Sequence, residues 1–227
     1  MKSFTFSGRS SRDFGIYLSG SGVFNAPERD VETISIPGRS GDLILDNGRF
    51  KNISVTYPCG IVTNFAAQIA VLRAFLLSQR GYQRLQDDYH PDEFRMAMFA
   101  GPIEVEPELV NRVGQFDLTF NCKPQRYLVS GDTPVVVSSG GSIANATFFT
   151  ALPLITVTGS GSGSLTIQGQ VLDLDDMGGS CTIDSEAGHV IGATASGELP
   201  QLQPGENVVT FSGGITAVSI KPRWWTV

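Results

Sequence analysis

The sequence predicts a mainly β protein with one helix: a small β-barrel-like domain packed around that helix, then a β-sandwich. The first observation behind this is Asn64–Gln79, NFAAQIAVLRAFLLSQ, where Phe65, Ile69, Leu72 and Leu76 recur on one helical face. The second is the flanking sequence, which alternates apolar and polar residues as strands do. The third is the stretch after Ser130, where short apolar runs lie between Gly, Ser and Pro clusters and no helical period survives.

The helix justifies itself locally. Ala66, Ala70 and Phe75 widen its apolar stripe, and Gln68, Arg73 and Gln79 are the polar remainder. Thr63 or Asn64 supplies a side-chain oxygen for the first turn. Arg80 suits the negative end of the dipole, and Gly81 is placed to end the helix in a left-handed conformation. A helix this apolar needs a surface to cover, and its neighbours on both sides are strands.

In chain order, Ser3–Phe6 and Arg12–Leu18 read as strands. Glu28–Ile36 sets Val31, Ile34 and Ile36 among polar residues and ends at Pro37. Asn47-Gly48 signals a two-residue hairpin, because both positions tolerate positive φ. In that register Leu45 faces Phe50 and Asp46 faces Arg49. Leu43, Leu45 and Phe50 then share an apolar face beside Asn52, and Ile44 lies opposite with Asp42, Asp46, Arg49 and Lys51. Such a hairpin is marginal alone, so the apolar face needs a partner, either the chain's own core or a neighbouring subunit. Lys51–Pro58 continues as a strand. Beyond the helix, Tyr82–Gln86 and Phe94–Phe99 flank the polar turn DDYHPDE. Ile103–Val110 and Val113–Cys122 follow, the latter with an irregular step near Gly114 and Gln115.

Lys123–Asp132 reads as the exit from the first domain, dividing the chain into residues 1–130 and 131–227. The second part carries strands over Leu154–Thr158, Ser164–Gln168, Val171–Leu174, Asn207–Phe211 and Ala217–Lys221, the pattern of a sandwich. The Gly159–Ser164 run, GSGSGS, reads as a turn.

The length of 227 residues suits two domains, and an apolar content of 41% suffices for a core. A net charge of −6, with a pI near 4.9, argues against gripping nucleic acid, which needs basic excess. Cys59, Cys122 and Cys181 lack metal-ligand spacing and read as reduced thiols. The N-terminus has no secretory h-region, and no apolar run approaches the roughly 20 residues of a membrane span.

Few residues invite chemistry. Asp87, Asp88, His90, Asp92 and Glu93 form a metal or acid-base candidate, against a solvated hairpin tip bent by Pro91; the tip is the better reading, since one loop rarely makes a site. Asp173–Asp176 lacks the glutamate of a calcium loop and reads as a turn, and GSGSGS lacks the lysine and helix of a phosphate cradle. No nucleophile elbow is present. Trp224 and Trp225 are candidate sugar contacts, against neighbours on a terminal strand that point to opposite sides.

Three stretches together resemble the siphophage distal tail proteins: SFTFSGRSSRDFGIYL, then ISIPGRSGDLILDNGRFKNISVTYP with the helix after it, then LPLITVTGSGSGSLTIQGQ, LPQLQPGENVVTFSGG and the closing IKPRWW. The IPGR…G…NG…F stretch and the terminal PRWW are the most specific parts, and the resemblance spans nearly the whole chain. It implies an N-terminal β-barrel-like ring domain with one helix and a C-terminal galectin-like β-sandwich. It implies a structural virion protein, not an enzyme, that needs no cofactor and sits at the distal end of the tail after assembly in the host cytoplasm. The implied partners are five further copies in a hexameric ring, the tail tube protein, the tail tip or baseplate hub protein and, by extension, a receptor-binding protein. DNA passes in transit through the channel, and nothing inserts in a membrane. The resemblance tilts Leu43, Leu45 and Phe50 towards a subunit contact. A carbohydrate-binding module using Trp224 and Trp225 is the alternative.

Overall fold

The computed structural model describes residues 1–20, 22–61, 64–108 and 113–227. The chain divides into two compact units, Met1–Arg126 and Tyr127–Thr226.

The first unit opens with β1 (Phe4–Phe6), β2 (Arg9–Ser10), a 3-10 turn over Ser11–Phe14 and β3 (Ile16–Leu18). There follow β4 (Arg29–Ile34), β5 (Leu43–Phe50), β6 (Ile53–Ile61), α1 (Phe65–Ser78), β7 (Gln83–Asp87), β8 (Glu93–Met98), β9 (Val105–Glu108) and β10 (Val113–Leu128). Apart from β4 and β5, these strands form one sheet in the order β2-β1-β7-β8-β10-β6-β3, with β9 also on β10. An antiparallel bridge between Lys2 and Leu18 ties β3, at one end of that order, to the residues just before β1, beside the other end, and the Leu18 N–H donates to the Lys2 carbonyl at 2.9 Å. The sheet is thereby curled into a barrel-like wall.

Alternation explains the inner face. Along β10, Gly114, Phe116, Leu118, Phe120, Cys122, Pro124 and Arg126 are all buried, while Gln115, Asp117, Thr119 and Asn121 are exposed. The irregular step expected near Gly114 is not a bulge. Gly114 occupies an inward position, and a Cβ there would collide with the Phe65 ring. The centre of the core is aromatic. Phe120 meets Phe4, Phe6, Tyr57 and Phe99 with ring centroids 5.7, 5.0, 6.1 and 5.5 Å away.

The expected helix face is the buried one: Phe65, Ile69, Leu72 and Leu76 join the same core. Its ends and flanks differ from expectation. Asn64 precedes α1 at φ +50° and makes no side-chain cap bond, and Thr63 lies outside the described residues. The helix ends on an extended Gln79, so Gly81, at φ +66°, shapes the following turn rather than the cap. Ala66 and Ala70 are exposed. Of the expected strand Ile103–Val110, residues 105–108 form β9, and residues 109 and 110 lie outside the described residues.

The second unit holds β11 (Val135–Val137), β12 (Gly141–Asn145), β13 (Leu154–Ile167), β14 (Gln170–Asp184), β15 (His189–Ile191), β16 (Thr194–Gly197), β17 (Gly205–Lys221) and β18 (Trp225–Thr226). Here the expected short strands fuse. GSGSGS is not a turn but the middle of β13, and Asp173–Asp176 lies inside β14. The turn between β13 and β14 is Gln168-Gly169, with φ +50° and +83°.

Glycine makes this continuity possible. A Cβ on Gly159 or Gly214 would strike the backbone of the opposite strand, so only glycine lets β13 and β17 approach so closely where both strands shift register. On one side of that corner β17 pairs with β12 and β14 pairs with β16; on the other, β17 pairs with β11 and β14 with β15. Leu165, Leu172 and Val209 from the first side and Ile155, Ile183 and Val218 from the second meet in one core, as a sandwich requires.

The C-terminal PRWW is fastened into this unit. Arg223 sits at φ +58°, and its guanidinium holds Asp184 through two bonds, at 2.7 and 3.0 Å. Its backbone N–H donates to the Gly131 carbonyl, and the Trp224 carbonyl accepts from the Leu128 N–H. The Arg223 hydrogen bonds, aided by the Ala187 N–H, hold Asp184 at about 2. An unfolded chain returns this carboxyl to about 3.9, so the stability it contributes is present above that value and is lost as pH falls towards about 2. Arg223→Met should therefore lower the urea midpoint at neutral pH and flatten its decline between about pH 4 and pH 2. An acid limb identical to the parent's would show that the pair is not responsible.

Candidate interaction surface and a buried polar pocket

β4 and β5 form a ribbon separate from the barrel sheet. The expected hairpin turn at Asn47-Gly48 is not where the ribbon reverses. The chain turns through residues 35–42, and there the Arg39 N–H donates to the Ile36 carbonyl across Pro37-Gly38, with Gly38 at φ +80°. Pro followed by a positive-φ Gly is the signature of a type II turn, which explains IPGR. Asn47-Gly48 is instead a bulge inside β5: the register runs Arg29↔Phe50 and then Val31↔Asp46. Gly48 takes φ +70°, and its N–H donates to Asp46 Oδ1 at 2.8 Å.

The bulge rearranges the expected faces. Opposed residues share a face, so Leu43 and Leu45 lie with Ile34 and Glu32, whereas Ile44 lies with Thr33. Phe50, opposite Arg29, falls on the side of Val31 and Asp46 and not with Leu43 and Leu45; the Arg29 guanidinium stands 5.1 Å over its ring. Neither face is covered by the described residues. Leu43, Leu45 and Ile34 are 42, 44 and 45% exposed, and Ile44 is 64% exposed. Exposed ion pairs fasten the strands to each other, Arg49 to Asp30 at 2.6 Å and Arg29 to Asp46 at 3.2 Å, and the Arg49 hydrogen bond holds the Asp30 carboxyl below its ordinary value.

A second apolar surface lies on the outside of α1. Val71 and Leu77 are exposed together with Ala67, Ala70 and Ala74. On this outer side only Arg73 and Ser78 are polar, whereas the exposed side of a helix is ordinarily polar throughout. Sequence periodicity locates the buried stripe, but it counts Ala70 as part of that stripe, whereas Ala70 lies on the exposed side.

The DDYHPDE turn is not the solvated tip expected of it. It folds inward, because Asp87 accepts from the Tyr57 hydroxyl at 2.6 Å and from the N–H groups of Tyr89 and His90 at 2.9 Å each. His90 Nδ1 lies 3.2 Å from the same carboxylate. Asp88 binds the Ser3 N–H and hydroxyl and Arg12. Below the turn lies a pocket lined in part by Tyr57, Asp87, His90, Glu93, Arg95 and Arg126. Arg95 and Arg126 are both 8% exposed, although each occupies an inward position of an alternating strand. That misplaced charge is the signal sequence reasoning could have used. Burial, then the neighbouring Arg126, pushes the Arg95 guanidinium below its ordinary value, and burial, then Asp87, raises the Tyr57 phenol. No group of three or more His, Cys, Asp or Glu among the described residues is arranged to hold a metal ion.

The remaining candidates are packed into the fold. Trp224 is 9% exposed within the sandwich core. Trp225 stacks on Phe149 with centroids 4.3 Å apart, and its indole N–H donates to the Thr150 carbonyl at 3.0 Å. Cys59, Cys122 and Cys181 are free and buried, and burial pushes the thiols of Cys59 and Cys122 up to about 12.

No family model and no curated protein matches the sequence. Solved structures do match. The SPP1 Dit protein, a paradigm of the hub adsorption apparatus in phages infecting Gram-positive bacteria, superposes with a TM-score of 0.76 at 12% identity, covering 100% of both chains. A chain of the phage p2 baseplate in its activated conformation superposes with a TM-score of 0.54 at 8% identity, covering 97% of both. At such identities the likeness is one of fold: a β-barrel-like unit with one helix followed by a galectin-like β-sandwich, matched from end to end.

Proposed function

We propose that the chain is a structural protein of a phage tail, acting as the distal tail protein. Six copies of its first unit close into a ring that joins the tail tube to the tail tip or baseplate, and DNA passes through the central channel. The observation that carries this reading is the end-to-end agreement in fold with the SPP1 Dit protein over two units of different architecture. Agreement over one common sandwich would mean little; agreement over both in the same order is far more specific.

The apolar surfaces support it. A closed ring needs a heterologous contact, one patch of a copy meeting a different patch of the next. The first unit offers two such patches, the ribbon face bearing Ile34, Leu43 and Leu45, and the outer side of α1 with Val71 and Leu77. We assign Leu43 and Leu45 to the subunit contact, with Phe50 at the other end of the ribbon. The reading includes no catalytic step. No helix among the described residues is long and apolar enough to cross a membrane.

Negative-stain microscopy of the purified protein should show rings with a central hole. A monomer that binds sugars through the sandwich would overturn the ring and favour a carbohydrate-binding module. Leu45→Glu should give a folded monomer by light scattering with unchanged circular dichroism, because a charge is expelled from an apolar interface. A destabilised or insoluble protein would instead place Leu45 in the chain's own core.

We also propose that the two parts, residues 1–130 and 131–227, fold independently. The bonds of Leu128 and Gly131 to the Arg223–Trp224 segment move the better cut to the start of Tyr127. A fragment of residues 127–227 should melt in one transition, at a higher temperature than a fragment beginning at Thr133. An unfolded longer fragment would refute the independence.

A further inference from the structure

The pocket below the β7–β8 turn holds more donors than its own acceptors absorb. Asp87 Oδ2 takes the Tyr57 hydroxyl, and Asp87 Oδ1 takes the N–H groups of Tyr89 and His90 together with the His90 ring. Glu93 takes Arg126 Nη1 at 3.2 Å, and the carbonyls of Val23 and Asn25 take Arg126 Nη2 at 3.2 and 3.1 Å. Arg95 Nη1 and Nη2, Arg126 Nε and His90 Nε2 remain, all buried and none with a hydrogen-bond partner. Guanidinium nitrogens only donate, and a buried cation without an acceptor is costly.

We propose that this pocket binds one monatomic monovalent anion of the size of chloride, held by Arg95, Arg126 and His90. The room available is small, close to that of one water, which favours a monatomic ion over phosphate, sulfate or a carboxylate. A water would also fit the space, but it accepts only two hydrogen bonds, fewer than the N–H groups that Arg95 and Arg126 leave without a partner. A halide accepts from every side and has no proton to place.

Charge decides when it binds. The groups facing His90 are Asp87 on β7, Glu93 and Arg95 on β8, Arg126 on β10 and Tyr57 on β6, with the Phe24 ring set edge-on at 4.8 Å. With His90 protonated on one nitrogen only, Nδ1–H donates to Asp87 and Nε2 would present a lone pair to the anion. With both nitrogens protonated, the three cations exceed the two carboxylates by one charge, which one halide cancels. Binding therefore takes up a proton and strengthens as pH falls. Arg126 also holds the carbonyls of Val23 and Asn25, so the occupied pocket steadies the segment that leads into β4.

The test is a thermal melt of the full chain in sodium bromide against sodium gluconate at equal ionic strength, at about pH 5.5 and about pH 8. Bromide should raise the melting temperature saturably, by about 2–6 °C at the lower pH and by much less at the higher. His90→Gln, which keeps a donor towards Asp87 and takes up no proton, should remove the pH dependence. Crystals grown in bromide should show an anomalous peak between Arg95, Arg126 and His90, a readout that needs no variant. Equal melting in both salts at both pH values, or an ordered water in place of the peak, would overturn the proposal.

Discussion

The first unit depends on the ring of Phe120. Four aromatic side chains converge on it, from β1, from β6 and from the residue that follows β8, and Phe6 carries the contact on to Phe75 at the edge of the helix. Edge-to-face packing fixes orientation as well as distance, so each of these strands is held in register by a contact that a one-residue slip would destroy. The barrel wall can close through something as slight as the Lys2–Leu18 bridge because the interior already dictates where its ends must meet.

What the core leaves outside is as telling. A two-stranded ribbon has no interior, and this one distributes apolar residues over both faces and holds itself together with exposed ion pairs that are worth little each. The outer alanines, Val71 and Leu77 of α1 make the same statement on a helix. Two exposed apolar surfaces of different shape thus lie on one unit.

Much of this was legible in the residues. The helix stripe, the β character and the order of the two architectures follow from periodicity and from where glycine clusters. The errors have physical causes. Asn-Gly supplies positive φ, and a bulge wants that as much as a turn does, so Asn47-Gly48 could be placed only once the IPGR turn was seen to reverse the chain. GSGSGS looks like a break because it lacks side chains, but missing side chains also permit close backbone approach, which is how β13 uses them. The polar pocket was hidden because Arg95 and Arg126 belong to different strands, and no local pattern shows that two inward charges share a space.

The glycine corner has one more effect. Because β13, β14 and β17 each run through both layers of the sandwich, neither layer owns its own central strands. A sandwich built from separate strands can peel, one sheet fraying while the other survives. Here the amides of both layers are threaded on the same three backbones, so local opening in one is transmitted along the chain to the other. Protection against hydrogen exchange should consequently be shared across the corner, and a force applied to either end must break both layers before it can lengthen the chain.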